Sequence, residues 1–244
     1  IMGNAPSIVS QYVERGKHIV IFDKALIRHL GKGGHGTFRV GIDGPSPIKY
    51  MMRVLRPFER WEKRRINLEQ RQQLYNVRGT ILYCGSSQKY CDFYNLGDAN
   101  DYAEGIINQI RDVKTKGKIV YRPKPSWGGA REIDGTLFSG PTVALKRELR
   151  SSDMLVTHGS AASVEAIVGG VPVITLGPCA AQFVSGNGIT NETIHEPYFP
   201  SEDARYHWLC NLAYCQWNVD ELQSGEAWGF IRNELVQLGV KFET

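Results

Sequence analysis

Short apolar runs alternate with longer amphipathic stretches through the middle of this chain. Residues 80–84 (Thr-Ile-Leu-Tyr-Cys), 118–122 (Lys-Ile-Val-Tyr-Arg), 154–156 (Met-Leu-Val) and 171–176 (Val-Pro-Val-Ile-Thr-Leu) are four such runs. Runs this short with no polar alternation predict strands buried on both faces, as in a parallel sheet. Between them, residues 98–114 set Tyr102, Ile106, Ile107 and Ile110 on one helical face. Residues 142–149 predict another helix. Residues 161–168 predict a helix of small side chains that can lie close to a sheet, stopped by Gly169-Gly170. Strand and helix therefore alternate over residues 79–177, which predicts a doubly wound parallel sheet with crossovers of one hand. Residues 126–140 are glycine-rich and predict a mobile excursion, and residues 177–200 predict a loop.

The flanks are less regular. Residues 7–16 predict a short amphipathic helix, 18–22 a strand with Asp23 at its end, 25–30 a helix and 37–42 a second strand. The glycine-rich loop 31–36 lies between them and contains His35. It lacks the GxxxxGK[ST] spacing and precedes a strand instead of a helix, so it is not a phosphate loop of that type. Residues 57–74 are helix-prone and basic around Trp61. Beyond 200, residues 203–216, 219–222 and 227–238 predict a helical tail whose aromatics, Trp208 and Trp217 among them, brace the domain before it. The expected division is a small basic domain over 1–78, thin in apolar content for a complete Rossmann domain, and a second domain over 79–244.

A composition of 42% hydrophobic and 22% charged residues is that of a folded globular protein. No stretch approaches the roughly 20 apolar residues that span a bilayer. The first residues lack the charged start and apolar core of a signal peptide. Five cysteines without a CxxC pair fit a reducing compartment and not a disulfide framework or zinc ribbon. The expected location is the cytoplasm of a bacterium or of a phage-infected host. The net charge of +4 is unevenly spread: residues 1–78 hold 15 Lys/Arg against 6 Asp/Glu, and the remainder 14 against 19. Such asymmetry points to a polyanion near the N-terminal part, or to a solvated basic face.

Candidate chemistry concentrates where the predicted parallel strands end, the edge at which open α/β sheets bind ligands. The turn His158-Gly159-Ser160 opens a helix, and backbone N–H groups with a hydroxyl at a positive dipole end suit a phosphate. Glu165 lies about one and a half turns further on, within reach of ribose hydroxyls. Ser86 sits in the polar turn that ends strand 80–84. Arg122-Pro123-Lys124-Pro125 carries two cations on an extended exit, suited to a diphosphate. The plainer readings are a close-packed strand–helix turn and a surface turn with two ordinary charges. Three successive strand ends bearing ligand-type residues favour the functional one. With no Walker A sequence and no GxGxxG opening a first βα unit, ATPase and dehydrogenase chemistry are weak readings.

The segment 151–176, with its small-residue turn, Glu165 and the ending Gly169-Gly170-Val171-Pro172-Val173-Ile174, resembles the donor-binding core of GT-B glycosyltransferases. It is similar to glycosyltransferases of bacteriophages and bacteria, and more distantly to capsule-polysaccharide transferases. The resemblance covers residues 79–177 well and the C-terminal part loosely. It implies a GT-B-like α/β fold, with a Rossmann-like donor domain and a smaller N-terminal α/β domain; in this family a C-terminal helix often crosses back to the other domain. It also implies a nucleotide-sugar co-substrate, such as a UDP-sugar, and no separate cofactor. Ser86, Arg122, Lys124, His158, Gly159, Ser160 and Glu165 are then the expected donor contacts.

Sugar transfer requires stabilisation of the departing phosphate, which Arg122, Lys124 and the helix start at Ser160 can supply. It also requires a base for the acceptor hydroxyl, with Asp23 the first candidate and His35 the second. The absence of an Asp-x-Asp sequence favours a reaction without a metal. The basic cluster Arg60, Lys63, Arg64 and Arg65 fits phosphates of a nucleic acid, an acidic glycan, or the charged outer face of an interdomain helix. With it, the resemblance to phage transferases implies duplex DNA bearing a hydroxymethylated pyrimidine as the favoured acceptor, with base extrusion costing on the order of a few kcal/mol. An acidic bacterial glycan, a nucleotide-sugar epimerase and a non-catalytic nucleotide-sugar-binding protein are the alternatives.

Overall fold

The computed structural model describes residues 5–27, 36–62, 66–71, 79–113 and 116–242. In chain order the elements begin with helix α1 (Pro6–Glu14), strands β1 (Val20–Lys24) and β2 (Thr37–Ile42) and helix α2 (Glu59–Glu62). Next come β3 (Ile81–Cys84), α3 (Gln88–Phe93), α4 (Ala99–Val113), β4 (Ile119–Arg122), β5 (Leu137–Phe138) and α5 (Leu145–Arg150). Then follow β6 (Met154–Thr157), α6 (Ala162–Val168), β7 (Val173–Thr175), β8 (Gly186–Asn187) and α7 (Asn191–His195). The last are α8 (Glu202–Ala213), β9 (Gln216–Asn218), α9 (Val219–Gln223) and α10 (Glu226–Gln237). Two compact units emerge: Ile1–Ile66 with Leu209–Thr244, and Asn67–Trp208.

The first unit is built on a three-stranded antiparallel sheet of order β1-β2-β9. Val20 pairs with Ile42, and Thr37 with Asn218. The stretch around Trp217, expected to be helical and to brace the second domain, is instead an edge strand here. The backbone explains why: Cys215 O accepts from Val40 N at 2.9 Å, and β9 covers part of β2. Asn218 then caps α9, its side chain accepting from Glu221 N while Glu221 accepts from Asn218 N.

The basic stretch 57–74 is helical only over α2, and residues 66–71 carry no helix. Arg60, expected on a phosphate-contacting face, turns inward with its side chain 11% exposed. Its guanidinium forks onto both oxygens of Glu221, donates to Ala213 O and Gln216 O, and stacks 3.8 Å over the Trp217 ring. Arg56 pairs with Glu234 in the same unit. Lys63, Arg64, Arg65 and His35 lie outside the described residues.

The second unit holds a six-stranded parallel sheet of order β5-β4-β3-β6-β7-β8. Period-two alternation sends Tyr83, Tyr121, Val156 and Ile174 to one face, where they join Ala103, Ile106, Ile107 and Ile110 of α4 in one core. The next row, Cys84, Arg122, Thr157 and Thr175, aligns across four strands at their C-terminal ends. The α/β expectation with a parallel sheet therefore holds. Two details differ from it. The excursion 126–140 contributes β5, with Ser139 N donating to Tyr121 O at 2.8 Å, and the stretch 177–200 contributes β8 and α7. No described helix is long and apolar enough to cross a membrane.

Candidate functional site

At the C-terminal edge of the parallel sheet, the β6–α6 turn is held by its own polar groups. Thr157 Oγ1 donates to Cys84 O at 2.8 Å and accepts from Ser160 N at 3.2 Å. Ser160 Oγ accepts from Ala162 N at 3.2 Å, and Ser163 Oγ donates to Ser160 O at 2.7 Å. The Ser160 amide, expected to be available to a phosphate, is thus spent on the turn itself. Among the described residues, the N–H groups of Gly159 and Ala161 have no hydrogen-bond partner. Gly159 is required by its neighbour: a Cβ there would lie 1.9 Å from the Tyr90 hydroxyl oxygen.

Arg122 ends β4, two strands away from this turn in the order β4-β3-β6, a lateral separation of about 10 Å. It is only 7% exposed. One guanidinium nitrogen donates to Ser139 Oγ at 3.0 Å, and Ser139 Oγ donates in turn to Glu148 Oε1 at 2.9 Å. Among the described residues no carboxylate lies within ion-pairing distance of Arg122. Its charge is felt at Cys84: burial pushes that thiol up to about 12, Arg122 opposes the shift, and Glu165 and Glu148 add to it. Charged side chains from β4, α6 and α5 therefore all act electrostatically on the end of β3. Lys124 is exposed on the turn beyond, its carbonyl accepting from Trp127 N at 2.9 Å. Ser86 is half-buried one residue past Gly85, and Glu165 is the exposed member of α6, whose Ala162, Ser163, Val164, Ala166 and Ile167 are buried.

His158 occupies a different environment from the rest. It is 6% exposed, with Nδ1 2.6 Å from the Tyr102 hydroxyl. The rings of Tyr90, Tyr94 and Tyr102 stand 5.7, 5.6 and 5.5 Å from its own. Burial holds its pKa below the ordinary 6.5, so at neutral pH it is an uncharged ring that supports the turn from beneath. Gly177, beyond β7, packs directly on it.

Asp23 lies within β1 of the first unit, in register with Arg39, and belongs to an antiparallel pair and not to the end of a parallel strand. Arg39 Nη2 donates to its Oδ2 at 2.7 Å, and Lys24 N donates to Oδ1 at 2.7 Å. Its side chain is 27% exposed. Among the described residues no cluster of three His, Cys, Asp or Glu side chains could hold a metal. Ser139, Glu148, Tyr90 and Tyr102 were not expected at this edge. No local pattern marks them, because β5, α3, α4 and α5 bring them in from separate parts of the chain.

No protein-family model matches the sequence, and no curated protein matches it either. Solved structures do. The KpsC beta Kdo 2,4 transferase of Thermosulfurimonas dismutans superposes with a TM-score of 0.56 at 13% identity, covering 91% of this chain and 81% of that one. The chain has a GT-B-like fold. The KpsC beta Kdo 2,7 transferase of the same organism gives a TM-score of 0.46 at 13% identity, over 82% of this chain and 71% of that one. TarM gives 0.38 at 9% identity, over 70% and 38%. This likeness to glycosyltransferases is one of fold, at identities too low to carry residue roles across.

Proposed function

We propose that this protein is a glycosyltransferase whose second unit binds a nucleotide-sugar donor at the C-terminal edge of its parallel sheet. The observation that carries the reading is Arg122. A guanidinium this buried, tethered to Ser139 and with no carboxylate within ion-pairing distance among the described residues, is poised for a bound anion. The unpartnered N–H groups of Gly159 and Ala161, about 10 Å away along the same sheet edge, suit another polar part of the donor. Glu165 is assigned to the ribose, with Ser86 and Lys124 at the rim. His158 is assigned to positioning the turn. Arg122 would stabilise the negative charge that grows on the departing phosphate. Asp23, oriented by Arg39 on one oxygen and by Lys24 N on the other, is the proposed base for the acceptor hydroxyl.

The acceptor is proposed as a glycan hydroxyl, the reading supported by likeness to a sugar transferase. A modified-DNA acceptor drew on the basic N-terminal stretch. Within that stretch Arg39, Lys49, Arg53, Arg56 and Arg60 are ion-paired inside the first unit. A transfer assay tests the reading: a panel of nucleotide sugars is incubated with oligosaccharide acceptors or with hydroxymethylated duplex DNA, and products are read by mass spectrometry. Nucleotide release that depends on an oligosaccharide is the expected result. Transfer to the DNA alone would restore the DNA reading. Donor binding without turnover would indicate a binding protein, and interconversion of the free donor sugar an epimerase.

A further inference from the structure

A recess in the same unit is chemically unlike the candidate phosphate contacts. It is a pocket of about 600 Å³ bounded by α4, the end of β7 and the segment 182–189. Small-molecule sites fall in the range of about 300–1,000 Å³. Its wall is polar but carries no Asp, Glu, Lys, Arg or His.

Two side-chain amides in this wall are anchored by their oxygens. Asn187 Oδ1 accepts from Thr175 Oγ1 at 3.0 Å, with the Ser185 hydroxyl 2.9 Å behind it. Gln182 Oε1 accepts from Cys179 N at 3.3 Å. Among the described residues, Nδ2 of Asn187 and Nε2 of Gln182 have no partner, and neither amide atom of Gln109 has one. An amide pinned by its oxygen presents its NH₂ donors already oriented, which lowers the ordering cost of binding. Phe183, 37% exposed, adds an aromatic face to the lining. Tyr102 adds a hydroxyl that is fixed against His158.

We infer that this pocket binds a neutral, hydroxyl-rich sugar ring. Its uncharged wall offers nothing to offset the desolvation of a carboxylate or phosphate. An apolar ligand would strand the oriented NH₂ groups without partners. Hydroxyl oxygens accept from those groups, while the C–H face of a pyranose packs on an aromatic ring such as Phe183. The inference does not depend on the donor reading, since it uses none of the residues assigned to the phosphate.

Saturation-transfer NMR on the full chain tests it, with glucose, galactose and N-acetylglucosamine as neutral probes, glucuronate as a charged comparator and cyclohexanol as a largely apolar one. At least one neutral sugar should receive saturation on its ring protons, with glucuronate and cyclohexanol about tenfold weaker or silent. Asn187→Leu should weaken the neutral sugar about tenfold. Gln109→Ala, on the exposed side of α4, should weaken it about threefold without changing the melting temperature. The inference is overturned if no neutral sugar responds, if glucuronate or cyclohexanol responds as strongly, or if neither variant alters the response. Titration with UDP on the same samples keeps the two readings apart: loss of UDP binding with neutral-sugar binding intact sinks the donor reading alone.

Discussion

Gly177 lies against the His158 ring, and adding one methyl group there tests how rigidly the β6–α6 turn is supported. A Cβ at this position would sit 1.9 Å from His158 Nε2, 2.3 Å from Cδ2 and 2.7 Å from Cε1. Non-bonded contacts between such atoms settle near about 3.5 Å, so the overlap exceeds an ångström. The ring has little room to retreat, because Tyr90, Tyr94 and Tyr102 surround it and Nδ1 is bonded to the Tyr102 hydroxyl. Forced overpacking costs about 1–3 kcal/mol, and loss of the Tyr102 bond adds about 0.5–1.5. Gly177→Ala is therefore expected to destabilise the second unit by about 2–4 kcal/mol. His158→Ala removes the atoms that clash, so the double variant should be no less stable than His158→Ala alone. The cycle then yields a coupling of about 2 kcal/mol or more. Urea unfolding followed by tryptophan fluorescence measures all four proteins. A Gly177→Ala protein within about 0.5 kcal/mol of the parent, or strictly additive effects in the cycle, would refute the packing argument.

Arg60→Ala should cost about 2–4 kcal/mol, because it strips Glu221 of its forked partner and Trp217 of its stacked cation; Arg60→Lys should recover less than half, an ammonium being unable to hold the fork. Thermal unfolding of the three proteins checks the order. The depressed pKa of His158 makes a pH prediction: the unfolded chain takes up a proton below the ordinary 6.5 while the folded ring stays neutral, so stability falls as pH drops from 6.5 toward the folded value, by about 1.4 kcal/mol per unit at most. Urea midpoints between pH 8 and 5 should show this loss, and His158→Asn should flatten it. Asp43 acts in a separate window. Burial raises its pKa, but hydrogen bonds from Lys49, Ile19 N and His18 outweigh that and hold it below 3.8, so its stabilisation is present above that value and lost under stronger acid.

The parallel sheet was legible because each central strand is a short apolar run whose burial needs no knowledge of its partner. The same holds for α4, with Ile106, Ile107 and Ile110 on one face, and for the small-residue α6. β9 was not legible: Gln216-Trp217-Asn218 becomes a strand only because β2, far away in sequence, offers it an edge. β5 and β8, two residues each, leave too short a pattern to read. The distribution of charge is hidden in the sequence for a related reason. Counted along the sequence, residues 1–78 look strongly basic, yet Glu221 and Glu234, which neutralise Arg60 and Arg56, come from the C-terminal stretch that folds into the same unit. Counted by unit, the first holds 15 basic and 10 acidic residues and the second 14 and 15. At the candidate site, the positions of Arg122, Gly159 and Glu165 could be read from strand ends. The enclosure of His158 by three tyrosines and the Arg122–Ser139–Glu148 chain could not, because each partner arrives on a different element.

The central claim is that the strand ends of the second unit take up the phosphate of a nucleotide sugar through Arg122. Isothermal titration of the full chain with nucleoside mono- and diphosphates, repeated on Arg122→Met, tests it most directly. At least one nucleotide should bind, and Arg122→Met, which keeps most of the side-chain length without the charge, should weaken it about tenfold or more while leaving the melting temperature within a few degrees of the parent. Equal affinity in parent and variant, or no binding of any nucleotide to the parent, would contradict the account.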